Sequence, residues 1–246
     1  VALEIAIKPI YLFADSQLLF WTNNGEPFLK SVRKHLVRPS PKAAYIGASN
    51  GDDPEYFSIF MAAMESVGVS DCRMIISSFP PVDQAFVNDA DIILLAGGDV
   101  ERGWNAFKET EMANTVIRRR YEGAVVMGVS AGAVQLGMLG WSEKEEEAET
   151  FFHTFSQVPF VISAHDEGQD WKNLRRAVRF MGNDIRGIGI PMGGGLAYNP
   201  YQTIEILRRP LYEFSVRNDQ IVFSMLFPED DPIMRSATEE GTHSPG

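Results

Sequence analysis

Five residues, Gly128-Val129-Ser130-Ala131-Gly132, constrain this chain more than any other stretch of it. They fit G-x-S-x-G, the elbow in which a serine sits on a sharp strand-to-helix turn with its hydroxyl exposed. The residues before it, Gly123-Ala124-Val125-Val126-Met127, form a short apolar run with β-branched members, which predicts a buried strand. The residues after it, Ala131-Gly132-Ala133-Val134, are small enough to start a helix close against a sheet. Glycines belong in such a turn because the backbone of the serine is strained and its neighbours must not clash.

The surrounding pattern extends that unit. Residues 9–14, 43–48 and 91–96 read as further strands, and residues 28–37 as a helix. Phe57, Phe60, Met61, Met64 and Val67 recur at the spacing of one helix face. A helix with Phe107, Ala113, Val116 and Ile117 on its inner side is expected before the elbow strand. Strands alternating with helices predict an α/β fold with a doubly wound, mostly parallel sheet and flanking helices. Loops carrying Ser49, Gly97 and Ser130 then fall at the C-terminal edge of the strands, where such sheets bind ligands. After Pro200 the texture changes: residues 203–207, 211–216 and 221–226 are β-type runs, read as a C-terminal antiparallel extension. Residues 1–228 are expected to form one α/β domain. Residues 229–246, acidic and rich in Ser, Thr, Pro and Gly, are expected to be a flexible tail.

Charge and cysteine content narrow the classes of function. A formal net charge of −11 argues against nucleic acid as a main partner, since phosphate neutralisation needs a basic face. One cysteine, Cys72, excludes an internal disulfide and a cysteine metal cluster, and suits a reducing cytoplasm. No apolar stretch approaches membrane-spanning length, and no signal peptide is visible. The expected location is cytoplasmic, with no membrane partner, no cofactor and no metal. A homodimer is one assembly open to the chain.

A serine nucleophile needs a base, and histidine serves at neutral pH. Of four histidines, His35 lies in a basic helical stretch, His243 in the tail, and His153 after two phenylalanines. His165 stands after the strand-like residues 159–163 and opens a polar loop, the position expected of a base. Backbone donors for an oxyanion are expected from Ala131 and from Gly98 in the strand-ending Ala96-Gly97-Gly98-Asp99. The histidine needs an orienting group. Residues 143–149 carry five glutamates, read either as a solvated face or as the source of that carboxylate, with Asp166 as another candidate. Arg175, Arg176 and Arg179 are either solvated or an anion clamp. Pro191-Met192-Gly193-Gly194-Gly195 has the glycines of a phosphate loop without its Gly-Lys-Ser/Thr ending.

Gly97-Gly98-Asp99, then Gly128-Val129-Ser130-Ala131-Gly132-Ala133, then His165 after a strand, occur in one order. This resembles the peptidase family of aspartyl dipeptidase and cyanophycinase, in the class I glutamine amidotransferase-like superfamily. The resemblance runs over about residues 43–197. It implies a serine hydrolase acting on peptides with acidic residues, with Ser130 as nucleophile, His165 as base, and Gly98 and Ala131 as oxyanion donors. It also implies an acid after the elbow helix, for which spacing selects Glu145. Asp99, Asp166 and Arg175 are the expected substrate-binding residues. This chain departs from the family pattern at two places. Pro191 and Met192 stand where an acid often follows Gly-Ile-Gly-Ile, and Asp166 and Glu167 follow His165 where the family tends to carry Phe and then arginines. Asp166, Glu167 and Asp170 are expected to repel an acidic substrate, while Trp104 or Trp171 would offer apolar surface.

The expected function is therefore cleavage of an amide bond in a small peptide or peptide-like substrate through a Ser-His-acid mechanism. Two alternatives share the motifs. An α/β-hydrolase esterase would place its histidine after the last strand, which leaves only His243. A non-catalytic ligand-binding protein on the same scaffold is the other.

Overall fold

The computed structural model describes residues 7–23, 25–142 and 151–229. Its centre is a seven-stranded sheet. Five strands run parallel, in the spatial order Ile10–Phe13, Val125–Val129, Ile92–Leu95, Lys42–Ile46 and Asp71–Ile75. Gly195–Tyr198 and Ile204–Leu207 extend it antiparallel on the Ile10–Phe13 side. The apolar runs are nearly continuous because both faces of the sheet are covered. Side chains alternate between two cores. Leu12, Ile46, Ile93, Leu95 and Val126 pack on one face with Phe107 and Val116, while Phe13, Tyr45, Leu94 and Met127 pack on the other with Phe60 and Met64. The chain winds outward from Lys42–Ile46 to Asp71–Ile75 and then returns across it to Ile92–Leu95. That reversal opens a crevice at the C-terminal ends of these strands, where doubly wound sheets bind ligands.

A second, four-stranded sheet lies beside it. Phe160–Ala164 and Arg186–Ile190 are parallel, and Leu211–Arg217 and Gln220–Leu226 complete it antiparallel. The three β-type runs after Pro200 are therefore not one meander. The first joins the central sheet and the other two form a hairpin on the second. Helix Lys172–Met181 covers the second sheet with Leu174, Ala177 and Val178 buried, as its apolar spacing predicts.

Two helices differ from the reading of the sequence. The one expected over residues 28–37 is only Leu29–Arg33. Arg33 ends it: its guanidinium donates to the carbonyls of Leu36, Arg38 and Pro39 and bends the chain that a helix would have continued. The helix before the elbow strand is two, Val100–Glu109 and Met112–Tyr121. Thr110 divides them, because its hydroxyl donates to the Ala106 carbonyl and accepts from the Met112 N–H while its own backbone is extended. In helix Pro54–Glu65 the inner face is Phe60, Ala63 and Met64, and Met61 is turned outward. Of the tail expected over residues 229–246, residues 230–246 lie outside the described residues.

Candidate active site

The elbow forms where the motif places it. Strand Val125–Val129 delivers Ser130, whose backbone has φ 49° and ψ −111°, and helix Ala131–Leu136 leaves at once. A non-glycine residue at such angles is strained and persists only where its surroundings hold it. Here the Ser130 N–H donates to the Phe13 carbonyl at 2.9 Å, and its own carbonyl accepts from Ala133 and Val134. Tight packing explains the glycines. A Cβ on Gly132 would lie 2.2 Å from the Leu95 carbonyl oxygen, and one on Gly128 would lie 2.5 Å from the Gly132 carbonyl group.

His165 comes from the other sheet. It follows strand Phe160–Ala164 with φ 45°, and its N–H donates to the Ile190 carbonyl at 2.8 Å. The elbow helix packs between the two sheets near the site. Ala133 and Leu136 share a core with Ile162, Ala164 and Ile190, and the Met138 N–H donates to the Phe160 carbonyl. The result is a contact of 2.7 Å between Ser130 Oγ and His165 Nε2. Two strained strand ends thus present a hydroxyl and an imidazole to each other.

The glycine turn lies against the serine. A Cβ on Gly97 would be 3.3 Å from Ser130 Cβ. Gly98 has φ 131°, and a Cβ there would be 2.2 Å from the Ser49 carbonyl oxygen. That same carbonyl accepts the Asp99 N–H at 2.9 Å. Behind it, the fully buried Gln135 donates to Ser49 Oγ and to the Val100 carbonyl, both at 3.0 Å. This network ties the glycine turn to the elbow helix. Ala131 is the first residue of that helix, so its N–H has no acceptor within the helix.

A cavity of about 260 Å³ opens beside this pair. Ser130, His165, Gly97 and Gly98 line it, and Asp15, Tyr45 and Tyr56 are among its other lining residues. The Tyr45 hydroxyl accepts from the Asn50 amide at 2.7 Å, and burial pushes its pKa up to about 12, so the phenol stays neutral. Asp15 accepts backbone N–H groups from Gln17 at 2.8 Å and Gly193 at 2.6 Å. The sequence reading missed Asp15, although its loop follows a parallel strand and so obeys the same edge rule that selected Ser49, Gly97 and Ser130. Tyr56 was missed because it lies on the outer side of its helix, 55% exposed.

Other expected site residues stand apart from this cavity. Asp99 caps helix Val100–Glu109 by accepting the Arg102 N–H and faces a separate depression with Ser77, Glu101 and Arg102. Arg175 is paired with Asp170 and faces a depression with Trp171 and Tyr212, not the serine. Asp166 is not among the cavity residues; its carbonyl accepts the N–H groups of Gln169 and Trp171 in the turn after His165. Glu167 points to Pro191 and Met192, accepting the Met192 N–H at 3.0 Å. None of Asp166, Glu167 and Asp170, the expected acidic rim, lines the cavity: Glu167 is engaged with Met192 and Asp170 with Arg175, in a chain that coils into a short 3-10 turn, Glu167–Gln169, directly after the histidine. Trp104 packs on Phe107 and Phe155, and Trp171 on Tyr212, so neither tryptophan is offered to the cavity. Glu145 and the rest of residues 143–149, and His243, lie outside the described residues. Among the described residues no carboxylate is within hydrogen-bond distance of His165, and no cluster of three or more His, Cys, Asp or Glu side chains is placed to hold a metal. No helix among them is long and apolar enough to cross a membrane.

A mostly parallel sheet with a serine elbow and a histidine brought to it defines an α/β protein that carries the pair of groups used by serine hydrolases. The model of peptidase family S51 matches residues 18–195, and the chain belongs to that family. No curated protein matches it significantly. Among solved structures, it is similar to a peptidase from an acI-B1 Actinobacterium, with a TM-score of 0.67 at 14% identity over 92% of this chain and 96% of that one. It is also similar to a putative peptidase E protein from Listeria monocytogenes EGD-e, with a TM-score of 0.56 at 14% identity over 90% of this chain and 100% of that one. At such identities these two likenesses speak to the fold.

Proposed function

We propose that the protein is a serine peptidase that cleaves an amide bond in a small peptide through Ser130 and His165. The observation that carries this reading is the 2.7 Å contact between Ser130 Oγ and His165 Nε2. In the neutral tautomer with its proton on Nδ1, the imidazole offers the Nε2 lone pair to the hydroxyl. Ser130 Oγ then attacks the substrate carbonyl while Nε2 takes its proton. The N–H groups of Gly98 and Ala131 receive the oxyanion, as donors held in place before the charge develops. His165 returns the proton to the leaving amine, and water releases the acyl group by the same steps in reverse. A carboxylate from residues 143–149, with Glu145 first, orients the imidazole on its Nδ1 side. The working partner is a small peptide, in the cytoplasm, with neither nucleic acid nor membrane required.

The test is turnover of a mixed dipeptide and tripeptide pool followed by mass spectrometry. The wild type should consume part of the pool, and Ser130→Ala and His165→Ala should each lower the rate by at least about 100-fold. Equal turnover by wild type and Ser130→Ala would refute the assignment.

A further inference from the structure

The cavity beside Ser130 is unlike a site built for an acidic side chain. Its apolar walls are Leu19, Tyr45, Tyr56, Ile59, Phe60 and Leu94, and Ser16 and Asn50 add neutral polar groups. Tyr45 is in ring contact with Phe60, so the aromatic wall is continuous. Among the lining residues there is no lysine or arginine, and there is one carboxylate, Asp15. That carboxylate is held by two backbone N–H groups and the Gln17 side chain, so it cannot readily swing away. A buried charge needs a partner of opposite sign or a dense set of hydrogen bonds. An aspartyl side chain in this cavity would meet no cation, a like charge at Asp15 and mostly apolar walls, with only neutral groups such as Ser16 and Asn50 to hold it. One guanidinium, Arg208, lies in the neighbouring groove with Phe20 and Trp21, where it reaches the Gln17 side chain and the Gly193 carbonyl.

Size agrees with this chemistry. At about 260 Å³ the cavity is just below the range of about 300–1,000 Å³ seen for drug-sized ligands. It has room for one large side chain next to the serine, not for a folded segment. Apolar pockets of this kind take their affinity from removing apolar surface from water.

From these features we propose that the cavity receives the side chain on the carbonyl side of the scissile bond, and that this side chain is apolar, aromatic or branched aliphatic, rather than acidic. The assignment to the acyl side rests on Ser130 being the nucleophile and on Asp15, since the acyl-side residue of a dipeptide carries the free ammonium and the other residue the free carboxylate. The chemical selectivity rests on the apolar walls and on Asp15, not on the catalytic role of Ser130. Asp15 adds a preference for a free α-ammonium group on the same residue, because that group carries the opposite charge.

Binding and turnover separate the two readings. Phe-Leu, Leu-Leu and Asp-Leu are titrated calorimetrically into full-length Ser130→Ala protein, and the same peptides are assayed with the wild type. The expected result is binding of Phe-Leu at least tenfold tighter than Asp-Leu, with the same order in kcat/KM. Ile59→Arg, a change at a partly exposed helix position, places a cation in the wall and should narrow the Phe-Leu to Asp-Leu ratio at least tenfold. If Ser130→Ala keeps the selectivity while the wild type cleaves none of the three, the pocket stands and the peptidase reading falls. Asp-Leu binding as tightly as Phe-Leu, or no binding of any peptide, would overturn the pocket. A preference for Asp-Leu that disappears in Arg208→Gln would also overturn it, and would place the acidic group in the neighbouring groove.

Discussion

Ser130 and His165 belong to different sheets and meet at 2.7 Å, each on a strand end with positive φ. Neither side chain is placed by its own sheet alone. The elbow helix, packed on the histidine's strand, sets the spacing. Disturbing that helix should therefore disturb the pair before it disturbs the rest of the fold.

Gly132 is the most direct point at which to do so. A methyl group there would meet the Leu95 carbonyl oxygen at 2.2 Å, and strand Ile92–Leu95 is an interior strand, paired on both sides, that cannot give way cheaply. Gly132→Ala should cost about 1–3 kcal/mol in chemical denaturation and lower activity beyond the loss of folded protein. Gly168→Ala is the matched control. Nothing lies within 4 Å of its Cβ position, so its stability should stay within about 0.5 kcal/mol of wild type.

Gln135 carries a second prediction. Its amide joins Ser49 Oγ and the Val100 carbonyl across a fully buried site. Gln135→Leu keeps the apolar volume and leaves both partners unsatisfied, which should cost about 1–3 kcal/mol. Because the Ser49 carbonyl also holds the Asp99 N–H, the Gly97–Gly98 turn should shift. The expected readout is a fall in kcat with little change in KM, measured on enzyme verified as folded by circular dichroism.

How much of this was legible in the sequence depended on packing. The strands through Ile92–Leu95 and Val125–Val129 are apolar because helices cover both faces, and their signal was plain. Arg186–Ile190 gave no such signal. Two of its five residues are glycines, because side chains at 187 and 189 would strike Val178 and the Trp171 ring of the covering helix. Asp71–Ile75 is a sheet edge with Arg73 turned to Asp83, so it too lacks an apolar run. At the site, Ser130 and His165 could be read from motif and position. The orientation of the loop after His165 could not, because it depends on Glu167 reaching Met192, 25 residues away. Nor could the apolar cavity, whose walls come from four separate segments of chain.

Cys72 gives a chemical control on the nature of the nucleophile. Burial pushes its thiol up to about 11, with Asp71 adding to the shift. The raised value means that the thiolate is scarce in the folded protein at pH 8, by about 100-fold relative to an ordinary thiol of pKa 9. Alkylation by iodoacetamide at pH 8 should accordingly be slow when folded and fast in denaturant, and activity should survive the reagent. Rapid loss of activity with modification of Cys72, in protein that stays folded by circular dichroism, would contradict a serine mechanism.

Covalent labelling with a fluorophosphonate, mapped by mass spectrometry, tests the central claim most directly. The reagent reports a serine that a neighbouring base has made nucleophilic. The account predicts one labelled site, Ser130, with labelling slowed at least about 100-fold in His165→Ala and abolished in Ser130→Ala. Labelling at another residue, or equal rates in wild type and His165→Ala, would contradict it.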